Sequence, residues 1–224
     1  EHVVDVVSVQ SQVDYGSVGN SIAVPVLQAH GLQVAPVPTV LLGNTPHYPT
    51  MHGGPVPLDW FGGFLEDLEA REVITRARLL LVGYLGSPAQ GLLLVQWLDR
   101  IRALNPGLQV QIDPVIGDHD YGIYTDPALV PVWRDHLLPR ASGLTPNHFE
   151  LEQLCGASLR SVDDCIEAAR GLLGATTRWV AVTSAAPTTC RDGTLQVVVV
   201  SHDIAQVIEH PARANYDLSS LENV

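Results

Sequence analysis

The sequence predicts an α/β fold, a mostly parallel sheet covered by helices on both faces. Two observations carry this expectation. Short apolar, β-rich runs alternate with longer helical segments over most of the chain, and such alternation marks parallel strands joined by helical crossovers. The 224 residues are 46% hydrophobic and 16% charged, which suits a globular domain with a sizeable core. Without internal repeats, low-complexity runs or composition breaks, residues 1–224 read as a single domain.

The elements follow in order. VVDVVSV (3–9) is a Val-rich strand. GNSIAVPVLQAHG (19–31) reads as a helix closed by Gly31, with Pro25 placed to kink it. LQVAPVPTVLL (32–42) is a strand whose Pro36 and Pro38 call for a sheet edge or a bend. Residues 43–57, rich in Gly, Pro and His, are too long for a plain connector and suit a lid or binding loop. In 57–72 Trp60, Phe64 and Leu68 recur every four residues and mark the apolar face of a helix. A buried strand (77–86) leads to a capped helix (87–107) stopped by Asn105-Pro106-Gly107, and a strand (108–117) follows. SGLTPN is a short strand feeding the helix FELEQL, and Ser161 with Asp164 forms a capping box for the helix 161–173. Strands at 178–185, 194–201 and 205–210 complete the pattern, the last two being consecutive and able to form a hairpin.

Composition excludes several functions. The net charge of −12 repels phosphate backbones and argues against a general nucleic-acid binder. A small phosphate ligand remains open, because local backbone N–H groups can outweigh the global field. All twelve basic residues are Arg, so a Walker A loop and a Schiff-base lysine are both excluded for this chain. Three cysteines (Cys155, Cys165, Cys190) without C-x-x-C spacing make disulfides or a zinc site poor expectations and point to a reducing cytoplasm. No apolar run approaches about 18 residues, so a membrane span is not expected.

In an open α/β sheet, ligands bind beyond the carboxyl ends of the strands. The polar residues there are Ser11, Asp113, Thr145 and Thr183. Ser11 follows the first strand, before a Gly-rich approach to the first helix; an ordinary turn residue fits it equally, and no serine-hydrolase motif accompanies it. Asp113 reads as a turn former before Pro114 or as an acid beside phosphate or metal. Asn147 and Glu150, in TPNHFE, have capping-box spacing and alternatively flank a metal. If the two strand ends meet, Asp113 and Glu150 repel each other unless a cation or proton lies between them, and Mg²⁺ suits carboxylates beside phosphates. Tyr84 is a core tyrosine or a ring-stacking one. His47, His52, His119, His148 and His210 show no metal-ligand spacing and read mostly as solvated.

Six ordered stretches together resemble one family: VSVQSQVDYGSVGNSIAVPVL, PTVLLGNTPHY, GYLGS, IDPVIGD with GIY, TPNHFELEQL and VAVTSA. They resemble the bacterial pyridoxal kinases of the ribokinase superfamily over about residues 5–213. The resemblance implies a ribokinase-like three-layer fold and ATP- and Mg²⁺-dependent phosphorylation of the 5′-hydroxymethyl group of a vitamin B6 vitamer. It implies Ser11, His47 and Tyr84 at the pyridine ring. It implies Asp113, Thr145, Asn147, Glu150 and Thr183 at the nucleotide, with Glu209, His210, Pro211 and Ala212 lining the same site. Glu150 and Tyr124 would stand by the metal, a monovalent cation is a further part of the implied site, and the assembly implied is a homodimer.

The family's G-x-G-D motif, whose Asp takes the hydroxyl proton, does not occur in the 224 residues. Three accounts fit: YDLSSLENV is a later segment joined across a gap, the chain is shortened, or it is a non-catalytic vitamin B6 or nucleotide-binding relative. The first is the expectation. A hydroxymethylpyrimidine kinase shares the fold and chemistry and is a further alternative.

Overall fold

The computed structural model describes residues 3–46 and 48–212. In chain order the elements are β1 (Val6–Tyr15), α1 (Asn20–Ala29), β2 (Val34–Asn44), β3 (Gly53–Pro55), α2 (Leu58–Ala70), α3 (Val73–Arg76), β4 (Leu79–Val82) and α4 (Pro88–Leu104). Then come β5 (Gln109–Ile112), β6 (Gly117–Asp118), β7 (Gly122–Ile123), α5 (Leu129–Pro131), β8 (Gly143–Leu144), α6 (His148–Cys155), α7 (Val162–Gly171), β9 (Trp179–Val182), β10 (Thr194–Ser201) and β11 (Ala205–Pro211). Nine strands form one sheet in the order β11-β10-β9-β8-β5-β4-β1-β2-β3, and β6 with β7 forms a separate hairpin. The block from β2 to β9 is parallel, while β3, β10 and β11 add antiparallel margins.

The order reverses once. From β1 the chain steps outward to β2, then returns past β1 to β4 and continues the other way. Right-handed crossovers therefore place α1 on one face and α4 with its successors on the other. In-register residues of the α4 face are buried throughout: Val9, Val82, Ile112, Leu144, Val180 and Val200. The α1 face is buried at Val6 and Ser8 but only half-buried at Leu79, Leu81, Gln109, Gln111, Trp179 and Ala181.

Local chemistry explains most boundaries. Gly31, at φ 78, ends the α1 turn in the left-handed region as anticipated. The Ser87 side chain accepts the Gln90 N–H at 3.2 Å to start α4, and Ser161 and Asp164 make the expected capping box. β2 is next to the edge, yet β3 pairs only with Val40–Leu42, so the stretch with Pro36 and Pro38 has a strand on one side only. A proline lacks the N–H that a second neighbour would need. The 43–57 segment is thus partly a hairpin arm.

The stripe of α2 departs from expectation at two of its three positions, while Leu68 packs against the core as expected. Phe61 and Leu65 are the buried residues, while Trp60 is 59% exposed and Phe64 is 36% exposed. A four-residue repeat drifts around a 3.6-residue helix, and the sheet selected the neighbouring row. Among the described residues no helix is long and apolar enough to cross a membrane.

Candidate active site

The switch in strand order falls between the carboxyl ends of β1 and β4, the place where ligands of such sheets bind. Ser11 and Tyr84 lie on its two sides. Ser11 is inside β1 rather than after it, because β1 runs on to Tyr15. It occupies the point where the β1–β2 register slips between Gln10 and Gln12. The Gly-rich approach to α1 has a steric reason. Gly19 has φ 52, and a Cβ there would run into the Ser11 hydroxyl and carbonyl. Behind it, Asn20 donates to the Gln10 and Val37 carbonyls at 3.3 and 3.4 Å, fastening α1 across both strands.

Tyr84 heads the 83–87 loop. Its carbonyl accepts the Thr39 hydroxyl at 2.6 Å. Gln90 ties the same loop down: its Oε1 accepts the Gly86 N–H at 2.9 Å, and its Nε2 donates to Thr39 O and Val56 O at 2.9 and 3.1 Å. The Tyr84 phenol is half-buried and raised in pKa by that burial. His47 lies outside the described residues; its neighbour Tyr48 tilts against Tyr15 with ring centroids 5.7 Å apart.

The next two strand ends carry the acids. The Asp113 N–H extends the ladder to Val82 O at 2.8 Å, and the Thr145 N–H reaches Ile112 O at 3.0 Å. The Thr145 side chain faces the Asp113 carboxyl and favours its charged form. Burial raises that carboxyl to about 6, with Thr145 pulling the other way. Glu150 is 3% exposed. Its Oε1 accepts the Ile116 N–H at 2.9 Å and its Oε2 the Asn147 N–H at 2.8 Å, while Asn147 Oδ1 accepts the Glu150 N–H at 2.8 Å. The anticipated capping box is therefore present, and the same carboxylate also pins the loop after β5. Asn147 adds a bond from its Nδ2 to Gly117 O at 2.8 Å.

Burial is the main reason Glu150 rises to about 7; the backbone bonds oppose it and the Asp113 charge adds to it. The fold thus brings the two carboxylates within electrostatic reach. Tyr124, half exposed after the β6–β7 hairpin, has its hydroxyl pushed well up by burial, then by the charges of Glu150, Asp118 and Asp113. Thr183, exposed past the end of β9, donates its N–H to Pro146 O at 3.0 Å and bridges Asn147.

Residues Glu209–Ala212 belong to or follow β11. Two antiparallel pairings separate β11 from β9, so both run in the same direction. Val182 is level with Val198, and Val198 with Val207. Glu209, His210 and Pro211, still paired with Gln196, Leu195 and Thr194, therefore extend with Ala212 past the end of β9 on the side of Thr183, two strand spacings of about 4.8 Å away. Arg191 pairs with Glu209 at 3.1 Å, and the Ala212 N–H donates to Gly193 O at 2.7 Å.

Two contributors escaped sequence reading. Asp118 Oδ1 accepts the N–H groups of Asp120 and Tyr121 at 2.9 and 2.8 Å, shaping the hairpin below Tyr124. Its GDHDYG context is an Asx-turn signal. Gln90, buried on α4, carries no such signal, because a helix-interior Gln looks the same whether it clamps a loop or faces water.

A family model described as Phosphomethylpyrimidine kinase matches residues 81–213. A Bordetella bronchiseptica protein named pyridoxine/pyridoxal/pyridoxamine kinase is 59% identical over 207 residues, covering 92% of this chain and 73% of its own length. The chain belongs to the pyridoxine/pyridoxal/pyridoxamine kinase family. Pyridoxal kinase membership extends across kingdoms: an Arabidopsis thaliana pyridoxal kinase is 36% identical over 179 residues, 80% of this chain and 57% of that one. The structure of pyridoxal kinase from Leishmania donovani, in complex with ADP and pyridoxamine, superposes with a TM-score of 0.83 at 27% identity, covering 92% of this chain and 72% of that one. The Entamoeba histolytica pyridoxal kinase gives 0.87 at 24% identity, over 95% of this chain and 75% of that one, a likeness of fold. The two solved neighbours share the mostly parallel ribokinase-like fold described above.

Proposed function

We propose that this chain transfers the γ-phosphoryl group of ATP to the 5′-hydroxymethyl group of pyridoxal, pyridoxine or pyridoxamine. The observation that carries this is the 59% identity to the Bordetella bronchiseptica kinase across 92% of the chain. Ser11 and Tyr84, with His47, hold the pyridine ring at the switch between β1 and β4. Asp113, Thr145, Asn147, Glu150 and Thr183 receive the nucleotide phosphates, and Glu209–Ala212 line the site farther along the sheet end.

The residues present fit Mg²⁺. Two largely desolvated carboxylates, raised to about 6 and about 7, hold negative charge that no basic residue among the described residues is seen to offset, and hard oxygen donors suit that ion. Glu150 supports it mainly by charge, since both its oxygens already accept backbone N–H groups, and Tyr124 stands alongside. When bound, the ion neutralises charge on the transferring phosphoryl group. The work of this chain is positioning: the clamped 83–87 loop and the Gly19 approach fix the walls against which a hydroxyl is aimed at the phosphate. A monovalent cation, a homodimeric assembly and a cytoplasmic setting complete the proposal, the last supported by three free cysteines.

The test is ATP-dependent phosphorylation of pyridoxal by the full-length protein, followed chromatographically. Tight vitamer and nucleotide binding without turnover supports the non-catalytic relative instead. The description of the matching family model favours a second reading, a hydroxymethylpyrimidine kinase. Parallel turnover assays on pyridoxal and on hydroxymethylpyrimidine decide between them, and lack of preference for pyridoxal overturns the first.

A further inference from the structure

Three ligand-bearing side chains meet beside α6, and nothing above uses them. His148 opens α6 and Glu152 lies one turn on, a spacing that puts both on one face. His119 reaches them from the β6–β7 hairpin. His148 Nε2 is 3.6 Å from Glu152 Oε1, His119 Nε2 is 3.7 Å from Glu152 Oε2, and ligand atoms of all three lie within 4.8 Å of one another. The two imidazole rings have centroids 5.2 Å apart. Donors around a tetrahedral ion with bonds of about 2.0–2.2 Å stand about 3.3–3.6 Å apart. The set is therefore nearly closed, and the remaining movement falls to His119, whose side chain is 50% exposed and sits on a hairpin.

The backing of the site is built. His148 is 4% exposed, although the sequence suggested a solvated residue. Its Nδ1 accepts the Ala186 N–H at 3.0 Å and lies 3.4 Å from Cys165 Sγ. Glu152 Oε1 accepts the Leu159 N–H at 2.8 Å, which holds the carboxylate so that Oε2 turns to His119.

We propose that His119, His148 and Glu152 bind a borderline divalent transition-metal ion of the Zn²⁺ type, with water in the fourth position. Two imidazole nitrogens and one carboxylate oxygen suit Zn²⁺, while Mg²⁺ requires oxygen donors. Because Nδ1 of His148 accepts a backbone N–H, Nε2 carries the ring proton before binding. The ion takes the Nε2 lone pair, the proton passes to Nδ1, and Cys165 Sγ accepts it there. The Ala186 N–H loses its ring acceptor in this step and must turn away, a cost the ion–ligand bonds have to exceed. No proton is lost overall. The ion ties the hairpin that precedes Tyr124 to the helix that carries Glu150, so occupancy stiffens one wall of the nucleotide region.

The experiment titrates the full-length protein with Zn²⁺ by calorimetry and with Co²⁺ by visible absorption, in excess Mg²⁺ and without nucleotide. One equivalent per chain is expected, with the absorption of a four-coordinate nitrogen and oxygen site. His119→Ala removes a ligand from an exposed hairpin and is expected to weaken binding about tenfold or more, as is Glu152→Gln. Cys165→Ala is expected to weaken it by about 10–100-fold through the outer partner alone. Absence of saturable binding, or wild-type affinity in His119→Ala, overturns the assignment. The readout is metal affinity, so its failure is distinct from failure of the phosphoryl-transfer reading.

Discussion

Replacing Glu150 by Gln separates the charge of this side chain from its capping geometry. Burial raises the Glu150 carboxyl from 4.5 to about 7. The fold therefore favours the protonated form, so the folded chain binds more protons than the unfolded chain between those values. Stability falls as pH rises through that window. At about 1.4 kcal/mol per pKa unit, holding the charge costs about 3 kcal/mol at pH 7.5 and less than about 1 kcal/mol at pH 5. Gln abolishes this cost. It keeps one carbonyl oxygen, which serves the Asn147 N–H, and turns an NH₂ toward the Ile116 N–H. That unmatched buried donor costs about 1–3 kcal/mol at either pH. The variant should thus be less stable than the parent by about 1 kcal/mol at pH 5 and level with it or above at pH 7.5, a swing of about 2 kcal/mol. Urea unfolding at the two pH values measures it, and calorimetry on the same protein should show weakened Mg²⁺-dependent nucleotide binding. An identical stability difference at both pH values refutes the buried charge. Loss of stability with unchanged nucleotide affinity leaves Glu150 as a helix cap only.

Asp113→Asn keeps the Thr145 partner and removes a charge that raises Glu150, so the Glu150 carboxyl should titrate below about 7 by carboxyl NMR; an unmoved titration contradicts their proximity. Gly19→Ala forces a side chain onto Ser11 at positive φ and should cost about 1–3 kcal/mol in thermal unfolding while raising the vitamer KM. Phe61→Ala, at a fully buried position, should cost about 3–5 kcal/mol. Trp60→Ala should cost within about 0.5 kcal/mol in the monomer unit. Equal losses at the two positions overturn the α2 face assigned here.

Much of the candidate site's local geometry was legible because its signals are local. The Asn147–Glu150 capping box needs only a three-residue spacing, and it formed with both reciprocal bonds. Polar residues after apolar runs located Asp113, Thr145 and Thr183 without knowledge of strand order. Signals that depend on more than one element failed or stayed silent. The α2 repeat pointed to Trp60 and Phe64, but the surface it meets buried Phe61 and Leu65 instead. Ser11 looked like a loop residue because nothing in β1 announces that β2 carries it on to Tyr15. His148 looked solvated, since the wall behind it comes from Cys165 and Ala186, on later elements.

By itself the sequence determined the alternation of strands and helices, most of their ends, the absence of lysine from these 224 residues and the family. Each of these depends on hydrophobic period, capping spacing or the identity of side chains, which neighbours along the chain define. Only the tertiary structure decided the reversal of strand order that falls between Ser11 and Tyr84. It alone set the separation at which Asp113 raises Glu150, and it alone gathered His119 with His148 and Glu152. These depend on through-space distance and on water excluded by residues far apart in the chain, because the energy of a charge or a metal ligand is set by what surrounds it in space.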